Sequence, residues 1–132
     1  MLRILLDTHV WLWMIESPGR MRESVRNELA DRENELYLSA ASCWEIAIKY
    51  RLGRLPLPAP PGEFIPPRME RDGVRSLPVG QYHALRVASL PDHHKDPFDR
   101  LLIAQSLIDN LVLYTADEQL LRYAAPCVLV DR

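Results

Sequence analysis

The chain has 132 residues, 48% hydrophobic and 26% charged, which suits one globular domain, 1–132, able to bury roughly two thirds of its unfolded surface. A formal net charge of −2 and a pI of about 6.1 exclude a global positive field, so attraction to nucleic acid would need local basic patches or metal ions. No apolar run approaches the ~20 residues that cross a bilayer and no signal-peptide pattern opens the chain, so a cytoplasmic address without a membrane partner is expected.

Residues Arg3 to Leu6 are a short apolar run ended abruptly by Asp7, Thr8 and His9. Such a run predicts a strand buried on both faces, in the middle of a parallel sheet. Val10 to Ile15 suits a helix, which places Asp7 at a strand-to-helix junction, where open α/β folds bind ligands. Ser17-Pro18-Gly19 is a turn, and Met21 to Arg32 carries Val25 and Leu29 at i, i+4 spacing on an amphipathic helix. Leu36 to Leu38 is a second strand. Ser39 or Ser42 caps the next helix, which ends at Gly53, with Lys49 and Arg51 at its basic end.

Leu55 to Pro67 holds six of the eleven prolines and predicts an extended crossing, followed by a short helix through Met69 that Pro66-Pro67 would interrupt. Val74 to Leu77 is a third strand after Gly73, and Gln81 to Ala88 a helix. Leu90 to Lys95 is a polar loop and Pro97 to Ile108 an apolar helix. Leu111 to Tyr114 is the fourth strand, Glu118 to Tyr123 a short helix, and Val128 to Val130 a possible fifth strand. Strands alternating with helices in this rhythm predict a three-layer α/β/α architecture around a central parallel sheet of four to five strands. Cys43 and Cys127 have no metal-ligand spacing and read as reduced thiols.

Taken singly, each acid at an element boundary has a structural explanation. Asp7 reads as an N-cap. Glu45 follows Ser42 at capping-box spacing. Asp96 precedes Pro97, which is suited to the first helical position, so Asp96 caps and Asp99 lies one turn in. Asp117 is a cap candidate beside Thr115. Together, Asp7, Glu45, Asp99 and Asp117 each open, or nearly open, a helix, and in a parallel sheet those starts converge on one edge. Carboxylates gathered there repel by about 4 kcal/mol per pair at ~4 Å with an effective dielectric near 20. Caps alone need no such cost, since Ser, Thr or Asn would serve. Mg²⁺ or Mn²⁺, one or two ions, would remove the repulsion, and such a site activates water for in-line phosphoryl chemistry. Zinc is disfavoured, because His93 and His94 are adjacent and point apart; that pair belongs on a loop near the acids, where it could touch phosphate.

The segments LLDTHVWLW, SAASCWEIAIKYRLGRL, HHKDPFDRLLIAQS and LYTADEQL closely resemble the PIN-domain ribonucleases, specifically the VapC toxins of type II toxin–antitoxin systems. The resemblance spans nearly the whole chain. It implies a PIN-like fold, a Mg²⁺ or Mn²⁺ site, endonucleolytic cleavage of RNA, a homodimer and a cognate VapB-type antitoxin. The family's acidic quartet falls on Asp7, Glu45, Asp99 and Asp117, as catalytic and metal-ligating residues. Its polar neighbour of the first acid falls on Thr8, and Asp96 and Thr115 stand as supporting residues. Two rivals remain. A haloacid-dehalogenase-type phosphatase would need a second Asp where His9 stands. A catalytically silent PIN-like binding module is disfavoured by the intact quartet.

Overall fold

A computed structural model describes residues 1–131. Its strands are β1 (Arg3–Leu6), β2 (Glu35–Ser39), β3 (Val74–Leu77), β4 (Val112–Thr115) and β5 (Cys127–Leu129). They pair in the order β3-β2-β1-β4-β5, all parallel, so the fifth strand does join the sheet. The helices are α1 (Thr8–Glu16), α2 (Glu23–Ala30), α3 (Ala40–Arg51), α4 (Pro61–Asp72), α5 (Gln81–Arg86) and α6 (Pro97–Asp109).

The uninterrupted apolar run of β1 is explained by its central place. Ile4 and Leu6 face one core with Val10, Trp11, Ile46 and Ile65, while Leu5 faces the other with Leu102 and Ile103. Successive strand side chains point to opposite faces, so a strand covered on both sides carries no polar alternation. The two cores are the inner surfaces of the outer layers: α1 to α4 supply residues to the first, α6 to the second.

Strand order reverses at β1. The chain steps outward through β2 and β3, then crosses back to place β4 on the other side of β1. This is a topological switch point, and the crevice beyond the carboxyl ends of β1 and β4 lies there.

Local differences from the sequence reading have physical causes. Residues 61–72 form a full helix, α4, with Pro66 and Pro67 inside it. The segment remains extended only to Pro60, where Pro61 opens the helix at a position that needs no N–H. Two interior prolines remove two i→i−4 hydrogen bonds. What offsets them is packing: Ile65 and Met69, one turn apart, are buried in the first core, and Phe64 meets Trp11 edge-on at 6.2 Å. The second helix is shorter than its periodicity suggested because Met21 is buried in an antiparallel bridge with Asp131. Glu118–Arg122 is a 3-10 turn. Ser39, not Ser42, caps α3, its hydroxyl accepting from Ala41 N at 3.0 Å.

Because Pro66 and Pro67 are exposed, replacing them should restore two backbone donors without disturbing the core. Pro66→Ala/Pro67→Ala is expected to raise the melting temperature in a thermal unfolding scan; an unchanged or lower value would mean that the prolines' restriction of the unfolded chain outweighs the missing bonds.

Candidate active site

The crevice at the switch point is a cleft of about 780 Å³ whose walls include Asp7, Glu45, Asp96, Asp99, Asp117 and His94. These acids arrive on four different elements, Asp96 and Asp99 sharing the start of α6, and the hydrogen bonds separate capping from other roles.

Asp7 follows β1 and occupies the N-cap position of α1, yet its side chain makes no cap bond. Instead Oδ2 accepts from Thr115 Oγ1 at 2.6 Å, across the β1–β4 pair. The same Thr115 hydroxyl accepts from Asp117 N at 3.0 Å. Thr115 is therefore a bracket between the first and last acids. Asp7 is only 4% exposed. Burial pushes its carboxyl pKa up, the Thr115 bond opposes that shift, and the nearby Glu45 charge adds to it.

Glu45 is not a capping-box residue. With the cap at Ser39 it lies six positions into the helix, on α3's second turn, and is 5% exposed. Oε1 lies 2.7 Å from Thr8 Oγ1, and Oε2 2.7 Å from Lys49 Nζ. Thr8 Oγ1 is also 2.9 Å from Ser42 Oγ. The hydroxyl of Thr8 has one proton, so it donates to the carboxylate and accepts from Ser42. Ser42, which suggested a cap, instead supports Thr8.

Asp96 caps α6, Oδ1 accepting from Phe98 N at 2.8 Å and Asp99 N at 3.2 Å. Asp99 lies one turn in and faces the cleft with its side chain 15% exposed. Burial, reinforced by the charges of Asp7, Asp96, Glu45 and Asp117, pushes its carboxyl up to about 8. Asp117 caps the 3-10 turn through Oδ1, which accepts from Gln119 N at 2.9 Å, while Oδ2 faces His94 at 3.0 Å.

The sequence places His93 and His94 together on a loop near the acids, and in the structure it is His94 that reaches them. Its Nε2 lies 2.9 Å from Asp99 Oδ2 and 3.0 Å from Asp117 Oδ2. Nδ1 accepts from Lys95 N at 3.0 Å, which puts the neutral ring's proton on Nε2, and His94, Asp99 and Asp117 each bring one ligand atom into a cluster spanning no more than 4.8 Å. His93 turns the other way, edge-on to Tyr123 at 5.1 Å. The divergence of neighbouring side chains was legible; which of the two would reach the acids depended on the fold of the loop. The acids of the cleft offer carboxylate oxygens, hard ligands that fit Mg²⁺ or Mn²⁺. Basic and aromatic groups also line it: Lys49, His9, and Arg20, whose guanidinium stacks 4.3 Å over the Trp13 ring.

Fold and site together define a doubly covered parallel α/β protein with an acidic cleft at its switch point. A family model described as PIN domain matches residues 4–126, and the chain belongs to that family. It is similar to Ribonuclease VapC16 of Mycobacterium tuberculosis, 53% identical over 53 residues, 40% of this chain and 38% of that protein. It is also 28% identical to Ribonuclease VapC22 of the same organism over 127 residues, 96% of this chain and 95% of that protein. Among solved structures it shares its fold with VapBC2 of Rickettsia felis bound to a promoter DNA fragment, at a TM-score of 0.74 and 12% identity, covering 98% of this chain and 100% of that one. DNA-bound VapBC of Salmonella typhimurium matches at 0.69 and 15% identity, over 97% of this chain and 98% of that one.

The raised Asp99 carboxyl carries a stability consequence with a definite sign. A folded-state pKa of about 8, against an ordinary 3.8, means the fold favours the protonated form. That contribution is present at acid pH and is lost as pH rises toward 8. Asp99→Asn cannot ionise, so with chelator present it should raise the melting temperature more at about pH 8 than at about pH 5. Asp96→Ala should instead lower stability by about 1 kcal/mol, the usual loss of an N-cap. Parallel melts of both variants check the pair; a fall in melting temperature for Asp99→Asn at the higher pH would show that burial and the neighbouring charges do not disfavour the ionised carboxyl there.

Proposed function

We propose that this chain is a divalent-cation-dependent endoribonuclease of the VapC type, the toxin half of a toxin–antitoxin pair acting in the cytoplasm. One observation carries the reading: carboxylates from four separate elements converge on one cleft, at an electrostatic cost visible in the raised Asp99 carboxyl. Of the helix-start explanations, those for Asp7 and Glu45 fail on hydrogen bonding, since neither side chain caps a helix.

Asp7, Glu45, Asp99 and Asp117 would hold Mg²⁺ or Mn²⁺, one or two ions. A cation bound there supplies a polarised water and neutralises charge on the scissile phosphate. The chain's own residues do the rest. Thr115 and Thr8 orient Asp7 and Glu45 through single short hydrogen bonds. Lys49 and Arg20 give the cleft a local positive side for the phosphate backbone, the patch that a chain of net charge −2 must have to attract RNA. The Trp13 face beside Arg20 suits an unstacked base.

The relatives VapC16 and VapC22 are ribonucleases by name, and the VapBC structures that share this fold support a VapB-type antitoxin as partner. On α3 and at its C-cap, Trp44, Ile48 and Leu52 are exposed at four-residue spacing. That apolar stripe supports a homodimer, and Ile48→Glu is expected to shift the mass measured by sedimentation from dimer to monomer. The phosphatase alternative lacks support, since the position where it needs an acid is His9.

Purified protein should cleave single-stranded RNA in Mn²⁺ or Mg²⁺ and stop in excess chelator. Asp7→Asn should lose orders of magnitude in rate while its circular dichroism stays unchanged. Added Mn²⁺ should raise the melting temperature of the parent, by about 2.7 kcal/mol of stability at a hundredfold excess over Kd, and not that of Asp7→Asn/Asp99→Asn. Full cleavage by Asp7→Asn, or by the parent in chelator, would sink the nuclease reading.

A further inference from the structure

The loop between α5 and α6 has no regular structure of its own after the 3-10 turn Val87–Ser89, yet it delivers His94 onto two acids at once. The agent holding it is Arg100, the residue after Asp99 on α6. Its guanidinium donates to Pro91 O at 2.9 Å and Val87 O at 3.0 Å, with longer contacts of 3.4 Å to the carbonyls of Leu90 and His94. It also lies 3.2 Å from the Tyr123 hydroxyl. Among the described residues its one ion-pair partner is Asp92, at 3.7 Å and fully exposed. A side chain only 13% exposed is thus committed mainly to loop carbonyls, and not to an acid of the cleft. Five N–H donors in a rigid plane suit an arginine to that task, which lysine's point charge does less well.

We propose that Arg100 and His94 form a positioning relay for the acidic site: Arg100 folds the loop across the start of α6, and His94, whose Nδ1 accepts from Lys95 N, presents Nε2 within 3.0 Å of one oxygen of each of Asp99 and Asp117 and so sets their carboxylates side by side. Each carboxylate gives one oxygen to His94 and keeps lone pairs for a cation. Outer partners of this kind orient ligating groups, and their loss typically weakens metal affinity 10–100-fold. In this relay both act through Asp99 and Asp117, and both are therefore positioning residues. The inference rests on the cation-site reading above and assigns roles within it.

Calorimetric titration with Mn²⁺ alone, without RNA, tests it. In the parent, Mn²⁺ should bind; His94→Ala should weaken binding about tenfold or more, and His94→Gln, which keeps an amide donor, should recover much of the loss. Failure of the parent to bind Mn²⁺ overturns the cation site, and the relay with it. Unchanged or tighter binding in His94→Ala, with the parent binding normally, overturns the relay alone, as does a Gln variant no better than Ala. Arg100→Lys should weaken Mn²⁺ binding and shift the His94 imidazole signals in a ¹⁵N–¹H spectrum; if neither moves, Arg100 has no part in it. The parent's own spectrum gives a reading that needs no variant: His94 should carry its proton on Nε2, and a proton on Nδ1 would overturn the proposed geometry.

Discussion

Mutual repulsion among carboxylates at the carboxyl edge of the sheet is the constraint on which the site depends. Asp7 is almost wholly buried, and Asp99 sits among four like charges that help hold its proton to about pH 8. A folded chain places acids this way only if the surrounding structure holds them there. The restraints are specific: Thr115 across β1 and β4, Thr8 and Lys49 on Glu45, and His94 between Asp99 and Asp117. The threonine and lysine contacts are hydrogen bonds from neutral or cationic donors, which lower the cost of each negative charge, and His94 Nε2 lies within 3.0 Å of both remaining carboxylates.

The scaffold under these contacts is rigid for ordinary reasons. Ile4, Leu5 and Leu6 are fully buried, and the two cores pack the sheet from both sides. The register of β1 against β4 then leaves Asp7 just beyond the strand end, with its amide donating to Tyr114 O at 3.0 Å. Thr115, the next residue of β4, therefore faces Asp7 as a consequence of strand pairing. The precision of the first contact in the site comes from the sheet ladder, and side-chain burial holds the ladder.

Much of this is legible in the sequence. The order and type of most elements followed from apolar runs and punctuation by Gly and Pro, and four strategically spaced acids suggested a shared edge. The errors cluster where one local rule competed with another. Ser42 and Glu45 have capping-box spacing, but Ser39 starts the helix earlier, and Glu45 is free to face the cleft. Pro66 and Pro67 argue against a helix, but burial of Ile65 and Met69 outweighs the lost donors. Met21 continues a helical pattern, but a bridge to Asp131, distant in sequence, claims it.

By itself the sequence determined the α/β alternation, the central place of β1 and the identity of the acids, because hydrophobic period and turn chemistry are local properties that each segment carries with it. Only the tertiary structure decided which acids cap and which face the cleft, that Thr115 brackets Asp7, and that His94 rather than His93 reaches Asp99 and Asp117. Those outcomes depend on strand order and on how Arg100 gathers a loop, contacts between residues far apart in the chain or turned by the fold. A carboxylate's role is set by the donors that surround it, and the fold supplies them.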